Sequence, residues 1–226
     1  MLALDVSGSM LASDVSPSRI DASKAALKDF IDNSTFNSEI ALLSFTSIVY
    51  VKETFTDEKF DLINSVDELD IRKTTGTSYG NLMTFSTALF EEDESLAKTK
   101  SLVMITDGQE NVMTADEISD VTQHLTDNNI KIFIVGVGSE DGGKILSDVT
   151  GSSVINEASI VDIVGINGGN YTLANSKDDI TEGLNSFFEN TKTPRIYDLS
   201  LVMYMLAVVV LIFEWYFSNY IFRIYP

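Results

Sequence analysis

The sequence predicts a doubly wound, Rossmann-like α/β sheet, mostly parallel, with one antiparallel edge strand and helices on both faces. A C-terminal transmembrane helix is expected after it. Three observations carry this reading. Helix and strand patterns alternate along most of the chain. The segments "SLVMIT" and "IKIFIVGVG" are continuous apolar runs, as parallel strands covered on both faces require. Beyond Asp198 the chain turns apolar and uncharged.

Leu2 to Val6 reads as the first strand. In "SPSRIDASKAALKDFIDNS", Ser16 is expected to cap a helix with Pro17 at its first position. Ile20, Leu27, Phe30 and Ile31 fall on one face of that helix. "EIALLSF" is the second strand, and Thr46 and Ser47 alone part it from "IVYVKETF". So short a gap permits a hairpin and no crossover, so the third strand is antiparallel and lies at an edge. Thr56 is expected to cap "DEKFDLINSVDEL". After "KTTGTS" comes a helix with Leu82, Met83, Ser86, Leu89 and Phe90 on one side.

"SLVMIT" follows as a buried strand. Thr114 and Glu117 suggest a capping box for "ADEISDVTQHLTDNN". "IKIFIVGVG" is the next buried strand. A helix near "SIVDIVGI", a turn at "NGGN" and a short strand at "YTLA" come next, and Ser176 and Asp179 open a last amphipathic helix.

The predicted organisation is one α/β domain over residues 1–191, a linker over 192–198, a transmembrane helix over 199–217 and a short tail over 218–226. The first strand begins with the first residues, which points to further chain upstream of Met1. "LSLVMYMLAVVVLIF" carries no charge, and Glu214 alone interrupts its continuation into "EWYFSNYIF". About 20 residues span a bilayer core, and Trp215, Tyr216 and Tyr220 suit an interfacial aromatic belt. Lys192 and Arg195 before the span outnumber Arg223 after it. That leans the domain toward the cytoplasm by one charge and leaves the side open.

The net charge is −19, from 34 acids and 15 bases. This excludes a nucleic-acid binder, which needs clustered Lys and Arg, while divalent cations and basic surfaces stay compatible. The chain has no Cys, so disulfides, zinc thiolates and thiol nucleophiles are excluded.

The candidate site begins in "MLALDVSGSM". An apolar strand ends at Asp5, and Ser7 and Ser9 follow at alternate positions, where their side chains can converge. Thr77 in "TTGTSYG" opens a helix, and Asp107 in "MITDGQE" ends a second buried strand. Ligands of doubly wound sheets bind beyond the carboxyl ends of strands. Asp5, Ser7, Ser9, Thr77 and Asp107 offer hydroxyl and carboxylate oxygens, a set for a hard cation such as Mg2+, with Ca2+ or Mn2+ as alternatives. Ser7, Ser9 and Thr77 are expected as neutral direct ligands, with Asp5 and Asp107 holding coordinated waters. Such an ion stays electrophilic and has a position open to a carboxylate from outside.

Asp-x-Ser-x-Ser with a distant Thr and a distant Asp resembles the metal-ion-dependent adhesion site (MIDAS) of von Willebrand factor type A domains. "DVSGSMLASDVSPSRIDASK", "GGNYTLA" and the apolar C-terminus resemble the membrane-anchored Bat (aerotolerance-operon) branch. The resemblance implies a membrane-anchored module that binds a protein partner supplying an Asp or Glu carboxylate. A MoxR-type AAA+ ATPase and other membrane proteins with such domains are the partners it suggests. Two alternatives stay open: a Mg2+-dependent phosphatase-like hydrolase using Asp5, and a scaffold whose site is purely structural. Against the first, phosphatases of that kind need a second Asp as acid/base where this chain has Ser7.

Overall fold

The computed structural model of the chain describes residues 1–33, 39–72, 76–92, 99–109, 115–139, 143–144, 152–153, 161, 163–165, 167–190 and 200–216. It divides into two units, Met1–Thr191 and Lys192–Pro226.

In the first unit the strands are β1 (Leu2–Asp5), β2 (Ile40–Phe45), β3 (Val49–Thr56), β4 (Lys100–Thr106), β5 (Ile130–Val137), the two-residue β6 (Gly143–Lys144) and β7 (Ser152–Ser153), and β8 (Asn170–Ala174). The helices are α1 (Arg19–Asn33), α2 (Lys59–Asp67), α3 (Tyr79–Glu92), α4 (Ala115–Asp127) and α5 (Lys177–Asn190). The main sheet runs β3-β2-β1-β4-β5-β8. Its neighbours are parallel except β2 and β3, which form the antiparallel edge hairpin.

Strand residues alternate between faces, and the sheet has a core on each. Leu2, Leu4, Leu42, Val103 and Val135 pack with Leu27 and Phe30 of α1, Leu62 of α2 and Phe187 of α5. Their neighbours Ala3, Leu43, Met104 and Ile134 pack with Tyr79, Leu82 and Phe90 of α3 and Leu125 of α4. Burial on both faces is why the central strands carry no polar alternation. Each large aliphatic side chain buried this way stabilises the fold by about 1.5–3 kcal/mol.

Some element boundaries differ from expectation. Helix α1 begins at Arg19 rather than beside Pro17, and Ser16–Pro17 is a cis peptide. Ser18 makes the cap, accepting from the Asp21 amide (3.2 Å) and donating to the Asp21 carboxylate (2.6 Å). Reciprocal bonding of this kind defines a helix start better than a Pro does. Thr56 stays in β3 and accepts from the Glu58 amide (3.1 Å), so α2 begins at Lys59. Thr114 lies outside the described residues. Of the "SIVDIVGI" segment, residues 161 and 163–165 are helical. Ser176 accepts from the Asp179 amide (3.2 Å) as the cap of α5.

The "NGGN" turn serves the sheet. The Asn167 carboxamide accepts from the Ile132 amide (2.8 Å) and donates to the Ile130 carbonyl (3.1 Å), satisfying β5 just before β8 takes over at Phe133↔Asn170. Gly169 is required here, because a Cβ on it would lie 1.9 Å from the Ile132 carbonyl oxygen.

In the second unit, α6 (Ser200–Tyr216) is 17 residues, about 25 Å at helical rise. Its described apolar side chains are exposed, Tyr204 to 78%. Of the expected transmembrane helix over 199–217, residues 200–216 are helical, and 199 and 217 lie outside the described residues. Among the described residues no helix is long and apolar enough to cross a membrane.

Candidate functional site

Strand β1 lies between β2 and β4. The chain leaves β1 toward β2 and later returns on the other side as β4, so the strand order reverses between the parallel neighbours β1 and β4. A crevice opens at their carboxyl ends, the place where such sheets bind ligands. Asp5 ends β1, Thr106 ends β4, and Asp107 follows. The Thr106 hydroxyl donates to Asp5 Oδ2 across the crevice at 2.7 Å.

The turn after β1 is built as the residue spacing predicts. The Ser7 amide donates to Asp5 Oδ1 at 2.8 Å, turning the chain into a 3-10 helix over Gly8–Leu11. This turn brings the Ser7 and Ser9 hydroxyl oxygens to 3.0 Å. Ser7 is buried and Ser9 half-buried.

Thr77 is buried and is brought to this end of the sheet through its neighbours. The Ser78 amide donates to the Thr46 carbonyl (3.0 Å), one residue past the Phe45 that pairs with Asp5. The Tyr79 hydroxyl bonds the Thr106 hydroxyl (3.0 Å), which itself holds Asp5. Asp107 is fully buried. Its Oδ1 accepts from the Gln109 amide (3.2 Å) and its Oδ2 from Arg19 Nη1 (3.0 Å).

Burial, and then the charge of Asp107, push the Asp5 carboxyl up to about 7, against hydrogen bonds from Ser7 and Thr106 that favour ionisation. At neutral pH this leaves Asp5 part-protonated, buried beside a second buried carboxylate. A cation close to Asp5 would favour its ionised form.

Several residues that the linear reading missed complete the site. Thr106 and Tyr79 link Asp5 to α3. Arg19, with a fully buried guanidinium, pairs with Asp107 and with Asp14. Asp14 also accepts from the Ser139 amide at the end of β5 (2.9 Å). Burial opposes ionisation of Asp14, but these bonds and the Arg19 charge outweigh it and hold its carboxyl below the usual range. A signal for Arg19 exists in the sequence: it is a base in the first turn of a helix, where the macrodipole disfavours positive charge.

The donor set fits a hard cation. It offers hydroxyls at Ser7, Ser9 and Thr77 and carboxylates at Asp5 and Asp107, with no sulfur or imidazole. Among the described residues no three His, Cys, Asp or Glu side chains cluster to hold a metal. Any ion here would therefore lean on neutral oxygens.

Residues 1–109 match the von Willebrand factor type A domain family, and all five candidate ligands lie within them. A UPF0353 protein of Nocardia farcinica is 24% identical over 203 residues, covering 80% of this chain and 59% of its own length. The chain thus spans less than two thirds of that relative. Among solved structures, BatB of Bacteroides thetaiotaomicron is 20% identical, with a TM-score of 0.70 over 83% of this chain and 97% of its own. An aerotolerance-related membrane protein of Bacteroides fragilis is 22% identical, with a TM-score of 0.71 over 84% of this chain and 98% of its own. Proximal thread matrix protein 1 of the mussel byssus, whose structure has a zinc-occupied MIDAS motif, is 17% identical. Its TM-score is 0.61 over 84% of this chain and 44% of its own. The sheet order, the crevice and the family match agree: residues 1–109 match the von Willebrand factor type A domain family, and the fold is similar to that of the aerotolerance-related Bat structures.

Proposed function

We propose that the domain binds a partner protein through a divalent cation, Mg2+ by preference and Ca2+ or Mn2+ as substitutes. Ser7, Ser9 and Thr77 hold the ion directly, and Asp5 and Asp107 hold it through water. When bound, the ion supplies an electrophilic position for an Asp or Glu carboxylate of the partner. The observation that carries this reading is the pair of fully buried carboxylates beside the Ser7–Ser9 hydroxyl pair, where burial and then the charge of Asp107 hold Asp5 up at about 7. The zinc in the mussel protein's MIDAS motif supports the fold's capacity for such an ion.

The reading is of a binding module and not an enzyme. An aspartyl-phosphate hydrolase needs a group that moves a proton two residues after its nucleophile. Ser7 stands there, its amide bonded to Asp5 and its hydroxyl to Ser9. Turnover of a generic phosphomonoester with Mg2+, lost on Asp5→Asn, would reverse this assignment.

The C-terminal segment is proposed to hold the chain at a membrane. Its exposed, apolar helix supports this, since water leaves so large an apolar surface uncovered only at a cost. A MoxR-type AAA+ ATPase and other membrane proteins with this domain are the proposed partners. The test is a pull-down from membranes with the full chain. Capture is expected with Mg2+ and lost with chelator or Asp5→Ala, and capture that survives chelator would contradict the reading. Neutralising the partner's acids one by one is expected to find one that abolishes binding.

A further inference from the structure

We propose that Arg19 is a positioning residue for the cation site: it fixes the Asp107 carboxylate with one arm while Asp14 clamps its other edge. This inference rests on the cation reading above. Arg19 is the first residue of α1, and its side chain is fully buried. Arginine is almost never fully buried unless paired, and here the pairing is specific. Nε donates to Asp14 Oδ1 (2.8 Å) and Nη2 to Asp14 Oδ2 (2.6 Å), a two-point clasp. Nη1 is thereby aimed away from Asp14, and it donates to Asp107 Oδ2 (3.0 Å).

The clasp is itself anchored. Asp14 Oδ2 accepts from the Ser139 amide beyond β5, and the Arg19 amide donates to the Ala12 carbonyl (2.9 Å). Gly138 leaves room for the guanidinium, since a Cβ there would lie 2.9 Å from Nη2. One side chain thus braces three segments around the crevice: the loop before α1, the end of β4 and the end of β5. With Oδ2 taken by Arg19 and Oδ1 bonded to the Gln109 amide, the orientation of Asp107 is set by protein before any ion arrives. Partners that orient the groups around an ion change metal affinity about 10- to 100-fold when lost.

The test is calorimetric titration of the full chain with Mg2+, with melting followed in parallel. Arg19→Met is expected to raise the Mg2+ dissociation constant about 10- to 100-fold. Arg19→Lys keeps a cation but has no fork, and it is expected to raise the constant in the same direction. If Arg19→Met does not fold, Arg19→Lys carries the test. Asp107→Asn is expected to cost less affinity on the Arg19→Lys background than alone, because the two residues act as a unit. A merely structural Arg19 would lower the melting temperature and leave the dissociation constant unchanged. That result, or additive effects of the two substitutions, overturns the proposal while the cation reading stands. Failure of the unaltered chain to bind Mg2+ overturns both.

Discussion

The two walls of the crevice are built on different principles. The β1 wall is local: Asp5, Ser7 and Ser9 lie within five residues and are joined by one amide and one hydroxyl contact. It sets two hydroxyl oxygens, one buried and one half-buried, beside the buried Asp5 carboxyl. The β4–β5 wall is assembled from afar, with Arg19 and Asp107 88 positions apart and Asp14 and Ser139 125 apart. It presents charges that largely cancel one another. The difference teaches that the acids in this site are not a count of its ligands. Asp14 and Asp107 spend their charge on a guanidinium, while Asp5 meets no cation in the bonds described and stays raised in pKa.

The sharpest way to break this contrast is Asp5→Asn. The substituted side chain can still accept from the Ser7 amide, so the fold is expected to persist. Thermal stabilisation by Mg2+ is expected to vanish, and the metal-free chain at about pH 8 is expected to melt higher than the unaltered one, since a buried charge has gone. Differential scanning calorimetry reads both changes. A loss of stability without metal would show that Asp5 is not the strained group of the pair.

A pH series separates the walls next. The folded Asp5 carboxyl, at about 7, lies above its ordinary 3.8, so the folded state holds a proton that the unfolded state releases. Its contribution is full below about pH 4 and is lost as pH rises through 7. The Asp14 carboxyl is lowered, so its contribution is present above 3.8 and is lost as pH falls through its folded value. Between about pH 5 and 8, the metal-free melting temperature is expected to fall with rising pH through Asp5. Asp5→Asn is expected to flatten that slope. A slope that survives the substitution would assign it elsewhere.

Thr106→Val tests the joint between the walls. It removes the donor to Asp5 Oδ2 and the partner of the Tyr79 hydroxyl, and is expected to cost about 1–3 kcal/mol in denaturant unfolding. A cost near zero would mean that the Thr106 bridge is not needed to satisfy either group. The smallest effect is expected at a pair outside the crevice. Lys28 and Asp67 form an exposed ion pair between α1 and α2, and Lys28→Ala is expected to change stability by about 1 kcal/mol at most. A larger loss there would erase the distinction drawn here between buried and exposed pairing.

Much of the β1 wall was legible in the sequence. Asp-x-Ser-x-Ser is contiguous, and a strand that ends in a turn converges its alternate side chains. The sheet was legible because its strands bury both faces, and the antiparallel edge because two residues cannot make a crossover. Of the other wall only Asp107 was legible, as the acid that ends a buried strand. Thr106 is the last residue of an apolar strand and Asp14 a loop acid, and the one local signal at Arg19, a base in the first turn of a helix, does not name a partner 88 positions away. The start of α1 was missed because Pro17 outweighed the Ser18–Asp21 box, which is as plain in the sequence once sought. At the C-terminus the apolar character was legible from composition, and the described residues Ser200–Tyr216 are helical as expected.

The most direct test of the cation site is a calorimetric titration of Mg2+ into the full chain, beside the same titration of Asp5→Asn. The account predicts saturable binding of one ion per chain and none to the variant. No heat in the unaltered chain, or equal binding by both, would contradict it.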